Sequence, residues 1–343
     1  MTVIIGVDPH KATHTAVAVD DSEHELDRIR VRATRRQLEQ LRRWAEPFGD
    51  RVWAIESAGG LGYLLAQQLV GAGERVLDVP ATLAARVRLL GTGRSDKNDP
   101  NDARSVAVAA LRAPRLGEVH PADHAAVLRL LAKRNLDLGR ERNRAANRLH
   151  VMLSELVPGG IPKELTVSKA LALLERAQPE TAVDRARHAM AHELLDDVRR
   201  LDAQKKAMKQ RIATAVTASG TSVTDVFCVG PIVACLVLGY TGDVTRFADR
   251  HHFAAYNGTA PVEMSSAGRR VHRLSRRGNR RLNYAIHLAA VGQIRHPHSE
   301  GRAYYDRKLK ENKTNREALR ALKRRVSDAI YHQLVADTAR RPR

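Results

Sequence analysis

The sequence lacks several features that would place it in common protein classes. Two cysteines, Cys228 and Cys235, in 343 residues exclude a disulfide scaffold and a four-cysteine zinc site. Aromatic residues make up 4% of the chain, too few to interleave a basic surface with stacking platforms. No apolar run approaches the roughly 20 residues needed to cross a bilayer; the longest, 227–239, is broken by Gly230 and Pro231. The opening MTVIIGVDPHK has no basic stretch ahead of its short apolar segment, so it does not read as a signal peptide. With 43% hydrophobic residues the chain is too apolar for disorder. The expectation is a reduced, cytoplasmic, nucleoid-associated protein of two or three domains, with no membrane partner.

What is present in excess is positive charge. The chain carries 58 Lys+Arg against 38 Asp+Glu, a formal net charge of +20. Residues 1–118 contribute +1, residues 119–221 contribute +6 and residues 222–343 contribute +13. Residues 269–281 hold seven arginines and no acid. Guanidinium forks match phosphate oxygens, and neutralised phosphates release counterions, so Arg269, Arg270, Arg273, Arg276, Arg277, Arg280 and Arg281 form a candidate nucleic-acid stripe. The alternative is a solvated helix face.

The first third alternates strand and helix signals. β-Branched runs at 3–8 and 13–19 read as a hairpin, followed by a polar strand near 25–32. Thr34 is expected to cap a helix reaching Phe48. A strand at 51–56, a helix at 61–70, a strand at 75–79 and helices near 82–90 and 100–111 follow, which predicts an α/β fold with a mixed sheet. Strand signals stop between Pro121 and Ser219, where long charged helices are expected up to Leu156 and from 182 to 218. They read as a coiled-coil-like spacer or oligomerisation element, or as a helix pair packed within one chain. The last third is expected to be mainly helical, with helices opening at Pro231, near 247, near Asn279 and near Thr314. The expected division is therefore 1–120, 121–218 and 219–343.

Four carboxylates stand out in the first third. Asp8 and Glu56 each close an apolar strand, where packing gives no reason for a charge, and Asp99 and Asp102 open a helix. Converging, they would make an all-oxygen pocket suited to Mg²⁺, with Mn²⁺ as the alternative. Each also has an ordinary reading: Asp8 can open a turn at Pro9, Glu56 can form a salt bridge, and Asp99 can cap a helix with Pro100 at its first position.

Gly6-Val7-Asp8, Glu56 with Gly59, Gly60 and Tyr63, and Lys97-Asn98-Asp99-Pro100-Asn101-Asp102 together resemble the DEDD-type insertion-sequence transposases of the IS110 family. The resemblance implies an RNase H-like (RuvC-like) fold and Mg²⁺-dependent DNA recombination, with the family's four acids on Asp8, Glu56, Asp99 and Asp102. It further implies an element-encoded guide RNA that specifies the element ends and target DNA, while the sequence distance between the acids and residues 258–282, with the helical spacer between them, points to a homo-oligomer, dimer or tetramer. Residues 229–234, around Gly230, resemble the family's helix-hairpin-helix-like element. Residues 258–282 are similar to its second domain, whose nucleophilic serine falls on Ser266, with Ser265 as the neighbouring alternative. Ala267 stands where the pattern more often has Gly.

Such a serine among arginines suits attack on a phosphodiester, giving a covalent phosphoserine intermediate. The runner-up function is a Holliday-junction-type endonuclease that hydrolyses with water on the same four acids; a third is a non-enzymatic DNA-binding protein whose acids are caps. Tyr304 and Tyr305 are outside candidates for a nucleophile. A zinc site on His10 and His14 is set aside for want of a third soft ligand.

Overall fold

The computed structural model describes residues 2–92, 99–114, 116–266, 269–274 and 278–340, leaving aside the side chains of 90–92, 99, 262–266 and 269–274. The chain divides into two compact units, Met1–Ala122 and Asp123–Arg343.

In the first unit β1 (Val3–Pro9), β2 (Thr13–Val19) and β3 (Glu25–Arg32) form an antiparallel meander. β4 (Arg51–Glu56) then joins β1 in parallel, and β5 (Val76–Val79) joins β4 in parallel. A two-residue strand, β6 (Gly117–Glu118), closes the edge antiparallel to β5, giving the order β3-β2-β1-β4-β5-β6. Three antiparallel strands extended from the first by parallel β-α-β units are the RNase H-like arrangement, so the mixed-sheet expectation holds.

Strand periodicity sorts the core into two layers. Odd-numbered residues of β1 and β4 (Val3, Ile5, Val7, Trp53, Ile55) pack with Leu41 and Ala45 of α1 (Gln37–Ala45) and Leu65 and Leu69 of α2 (Tyr63–Gly71). Even-numbered residues (Ile4, Val52, Ala54) pack with Ala84 of α3 (Ala81–Thr92) and Ala103, Val106 and Ala107 of α4 (Asp99–Arg112). The sheet is buried on both faces, which is why β1 and β4 read as continuous apolar runs. α1 begins at Gln37 after Arg36, not at Thr34; the Thr34 hydroxyl accepts from the backbone of Arg36 and shapes the preceding turn.

Glu74, in the loop before β5, ties this unit together. It accepts from Arg51 (Nη2 at 2.6 Å, Nε at 3.0 Å), from Trp53 Nε1 at 2.9 Å and from Arg42 Nε at 3.4 Å. Burial would raise its pKa, but the bonds from Arg51 and Trp53 outweigh it and hold the carboxyl below its usual range.

The second unit is built on α5 (His124–Leu156) and α7 (Ala182–Ala218). His124 meets the carbonyl of Ala215, Arg142 pairs with Asp202 and Arg187 with Glu155, so the two helices run antiparallel within one chain. Thr181 and Asp184 form a reciprocal capping box that starts α7 where the sequence places it. α6 (Val167–Arg176), absent from the sequence reading, closes one end with Ala170 and Leu174 against Leu149, Leu153 and Leu195.

At the other end α8 (Pro231–Thr241) lies on α5 at Gly239, where a Cβ would come within 2.6 Å of the Arg129 backbone nitrogen. α9 (Arg250–Tyr256), α10 (Arg280–Arg295), α11 (Glu300–Lys310) and α12 (Asn315–Arg340) complete the helices. Residues of α5, α7, α8, α10 and α12 share one apolar core. β7 (Pro261–Ser266) and β8 (Arg269–Leu274) form a hairpin in a third of the chain expected to be mainly helical. Among the described residues no helix is long and apolar enough to cross a membrane.

Candidate active site and basic surface

Asp8 and Glu56 arise next to each other because β1 and β4 run in parallel. The ladder pairs Gly6 with Ala54 and Val7 with Ile55, so the next step sets Asp8 beside Glu56 at the ends of both strands. Adjacent strands are about 4.8 Å apart, and both residues continue the even-numbered series that faces α4. Asp8 is 6% exposed, and its Oδ2 lies 3.6 Å from His10 Nδ1.

α4 brings the remaining acids. Gly6 lacks the Cβ that would collide with Ala103 and Ala107, so the helix backbone rests directly on β1. Arg112, in the last turn, pairs with Glu23 in the turn after β2, beside the strand end where Ile4 pairs with Val19. α4 therefore runs antiparallel to β1, and its first turn, from Asp99 to Asp102, points toward the Asp8 end. Asp102 is 6% exposed and is in contact with Arg88 of α3. The side chain of Asp99 lies outside the described residues. Among the described residues no three His, Cys, Asp or Glu side chains form a ready metal cluster; three carboxylates of the expected quartet are brought to one end of one sheet face.

Glu56 is set by a sharp turn. Ser57 follows it with φ 52°, its N–H donating to Val79, while the next N–H, that of Ala58, donates to Asp78 Oδ1 at 2.8 Å. A Cβ at Gly62 would lie 2.5 Å from Ile55 Cγ2, which lets the loop fold back over β4. Asp78 and Arg88 are thus part of the constellation without having any signature in the sequence, since their roles depend on packing between elements distant in the chain.

In the second unit the hairpin register pairs Ser266 with Arg269 and Ser265 with Arg270. Ser266 therefore closes a strand in a region expected to be mainly helical: Val262 and Met264 alternate with polar residues, as Val271 does in β8, at the strand period. Of the arginine stripe, Arg269, Arg270 and Arg273 lie on β8, Arg276 and Arg277 lie outside the described residues, and Arg280 and Arg281 open α10. Asn279 caps that helix, its Oδ1 accepting from the backbone of Arg281 at 3.0 Å and of Leu282 at 3.2 Å. Cations in a first turn oppose the helix dipole, and an anion there would satisfy both. Gly230 precedes α8 with Pro231 at the first helical position, and it is exposed.

Residues 5–158 match the transposase profile of the DEDD type named for IS110, and residues 221–306 match the profile described as "Transposase IS116/IS110/IS902 family". The chain belongs to the IS110 family of transposases. It is 26% identical to the uncharacterized 44.8 kDa protein of insertion element IS116 from Streptomyces clavuligerus, over 96% of this chain and 94% of the relative. It is 28% identical to the uncharacterized 42 kDa protein of insertion element IS900 from Mycobacterium paratuberculosis, again over 96% and 94%. Thermus thermophilus RuvC in complex with Holliday junction substrate overlaps 32% of this chain and 94% of its own, at 15% identity and a TM-score of 0.26.

Other titratable groups of this transposase have structural roles. His14 is buried and its Nε2–H donates to Gln37 Oε1 (3.1 Å), while the Gln37 amide nitrogen donates to Gln68; burial lowers the His14 pKa. Cys235 is buried against the Leu128 carbonyl, and burial pushes its thiol up to about 11. Tyr304 lies among Arg307, Lys308 and Arg325, within 5.0–5.5 Å of its ring, and packs on the helical core.

Proposed function

We propose that this IS110-family transposase cuts and exchanges DNA strands through a covalent phosphoserine, using divalent cations held by Asp8, Glu56, Asp99 and Asp102. The observation that carries the reading is the placement of Asp8 and Glu56 at neighbouring ends of two parallel strands, with the first turn of α4 directed to the same end. An all-oxygen donor set of this kind fits Mg²⁺, with Mn²⁺ as the alternative. When bound, such ions stabilise charge on the attacking and leaving oxygens of an in-line phosphoryl transfer.

The protein residues then divide the work. Ser266 Oγ attacks phosphorus; the Oγ–P bond forms, the phosphodiester bond to one deoxyribose oxygen breaks, the serine proton passes to water and the departing oxygen takes one up. The bond energy is kept in the phosphoserine, so a hydroxyl of the second strand can reverse the step and rejoin the DNA without an outside energy source. Arg269, Arg270, Arg273, Arg276, Arg277, Arg280 and Arg281 neutralise backbone phosphates, and Gly230 offers its backbone to phosphate at the start of α8.

The three-part division at 1–120, 121–218 and 219–343 assigns metal binding, spacing and oligomerisation, and serine delivery in turn. Acting as a dimer or tetramer, one protomer's serine would serve the acids of another. A guide RNA, contacted through backbone and shape, would select element ends and target. Hydrolysis by water on the same acids is the second reading. The deciding experiment incubates the protein with element-end DNA and Mg²⁺: an SDS-stable protein–DNA adduct, absent from Asp8→Asn and Ser266→Ala, supports the proposal, and cleavage without adduct supports hydrolysis.

A further inference from the structure

The second unit carries a cavity of about 420 Å³ between residues 258–261, α11 and the first half of α12. Its walls combine two chemistries. Ala260, Pro261, Ala321 and the ring of Tyr304 form an apolar side, while Lys308, Lys313, Arg320, Lys323 and Arg324 supply cations. One carboxylate, Glu317, lines it, and that group is engaged as the cap of α12, accepting from the Thr314 backbone at 2.9 Å and hydroxyl at 2.8 Å.

Lys323 is the most informative of these cations. Its Nζ donates to Asn283 Oδ1 at 2.7 Å, and Asn283 is locked in that orientation because its amide nitrogen donates to the carbonyls of Asn257 and Gly258. That leaves two ammonium protons directed elsewhere, and among the described residues no carboxylate pairs with Lys323. Burial and the nearby Arg280 push its pKa down to about 8. A half-buried cation with a neutral partner and a cationic neighbour is a costly arrangement unless an anion completes it.

We infer that this cavity holds one nucleotide of a DNA strand, its phosphate on Lys323, Lys313 and Arg320 and its base against Tyr304, Ala260 and Pro261. Lys308 pairs with Glu311 and Arg324 with Asp328, which leaves Lys313, Arg320 and Lys323 for an anion. A free phosphate would have no use for the apolar wall, and an apolar ligand none for these three cations; a nucleotide matches both. Pro261 also begins β7, five residue steps before Ser266. At strand geometry that is about 17 Å, within about five nucleotides of the serine at the rise of duplex DNA. The subsite would therefore grip a DNA strand a few nucleotides from Ser266. It rests on the reading of this unit as the DNA-handling part of the transposase, and not on the serine being the nucleophile.

Photocross-linking tests it. Full-length Ser266→Ala protein is mixed with single-stranded DNA carrying 5-iodouracil at successive positions, irradiated, and the adduct mapped by mass spectrometry. Cross-links at Tyr304 from one or two adjacent positions are expected. They should fall at least fivefold in Lys323→Met and in Lys313→Glu/Arg320→Glu, whose exposed sites tolerate reversal without repacking. A parallel RNA carrying 5-iodouridine should cross-link less. Cross-links that map outside the cavity, survive the charge reversal or are stronger with RNA overturn the inference. Failure of the serine reading would instead appear as a missing serine–DNA adduct in the wild type, which leaves this cross-link unchanged.

Discussion

Gly6 and Ala103 meet backbone to backbone: a Cβ at Gly6 would lie 2.2 Å from the carbonyl oxygen of Ala103 and 2.4 Å from the Ala107 nitrogen. That approach seats α4 on β1 and directs Asp102 toward Asp8. Gly6→Ala should cost about 1–3 kcal/mol of stability by overpacking and should abolish DNA cleavage. Gly71, at the end of α2 with nothing within 4 Å of its built Cβ, is the control, and Gly71→Ala should leave both unchanged or slightly improved. Urea unfolding of the two variants checks this.

Arg88 of α3 pairs with Asp102 of α4. Its contact with Asp102, whose side chain is 7% exposed, neutralises a carboxylate that would otherwise be buried and unpaired. Arg88→Met should lower stability by on the order of 3 kcal/mol without added metal, because one partner of a largely buried pair is removed. A divalent ion should then restore more stability to the variant than to the wild type. Melting temperatures with and without Mg²⁺ measure the difference; equal Mg²⁺ shifts would show that Arg88 and the ion do not share Asp102.

The two adjacent serines should separate cleanly. Ser266→Ala should remove the covalent protein–DNA adduct and strand exchange together, whereas Ser265→Ala should retain the adduct. Denaturing gels resolve the outcomes. Adduct loss in Ser265→Ala alone would move the nucleophile by one residue.

The depressed pKa of Lys323 gives a pH signature. Burial is the main cause and Arg280 adds to it; His287 also faces the ammonium. Below pH 8 Lys323 is charged in both folded and unfolded chains, and the folded state bears the cost of burying it. Between pH 8 and about 10.5 the unfolded chain holds the proton more tightly, so the contribution of Lys323 to stability rises with pH. The stability of wild type relative to Lys323→Met should therefore improve across that window, read by denaturant midpoints at pH 7.5 and 10.

Much of this molecule is legible in its sequence, for definite reasons. β1 and β4 are β-branched runs buried on both faces, and the acids that end them break the pattern visibly. Thr181 and Asp184 announce α7, and Asn279 announces α10, because capping is a local interaction. The two-residue β6 is too short to carry any pattern. α11, with its sequence EGRAYYDRKLK, has almost no apolar stripe; it is fixed by Gly301 lying against Gln293 and by Tyr304 and Tyr305 on the core. The β7–β8 hairpin was hidden because its strand alternation is overlaid by arginines. Arg88, Asp78 and Lys323 gain their roles from elements that meet only in the folded chain, so no spacing rule could find them.

The account depends most on the carboxylates of the first unit acting together. Crystals of the protein with element-end DNA, grown in Mn²⁺ and measured at the manganese absorption edge, test this directly. Anomalous peaks within about 2.1 Å of carboxylate oxygens of Asp8 and Glu56 and of α4's first turn are predicted. Manganese bound only on other surfaces, with Asp8 and Glu56 bare beside the DNA, would contradict it.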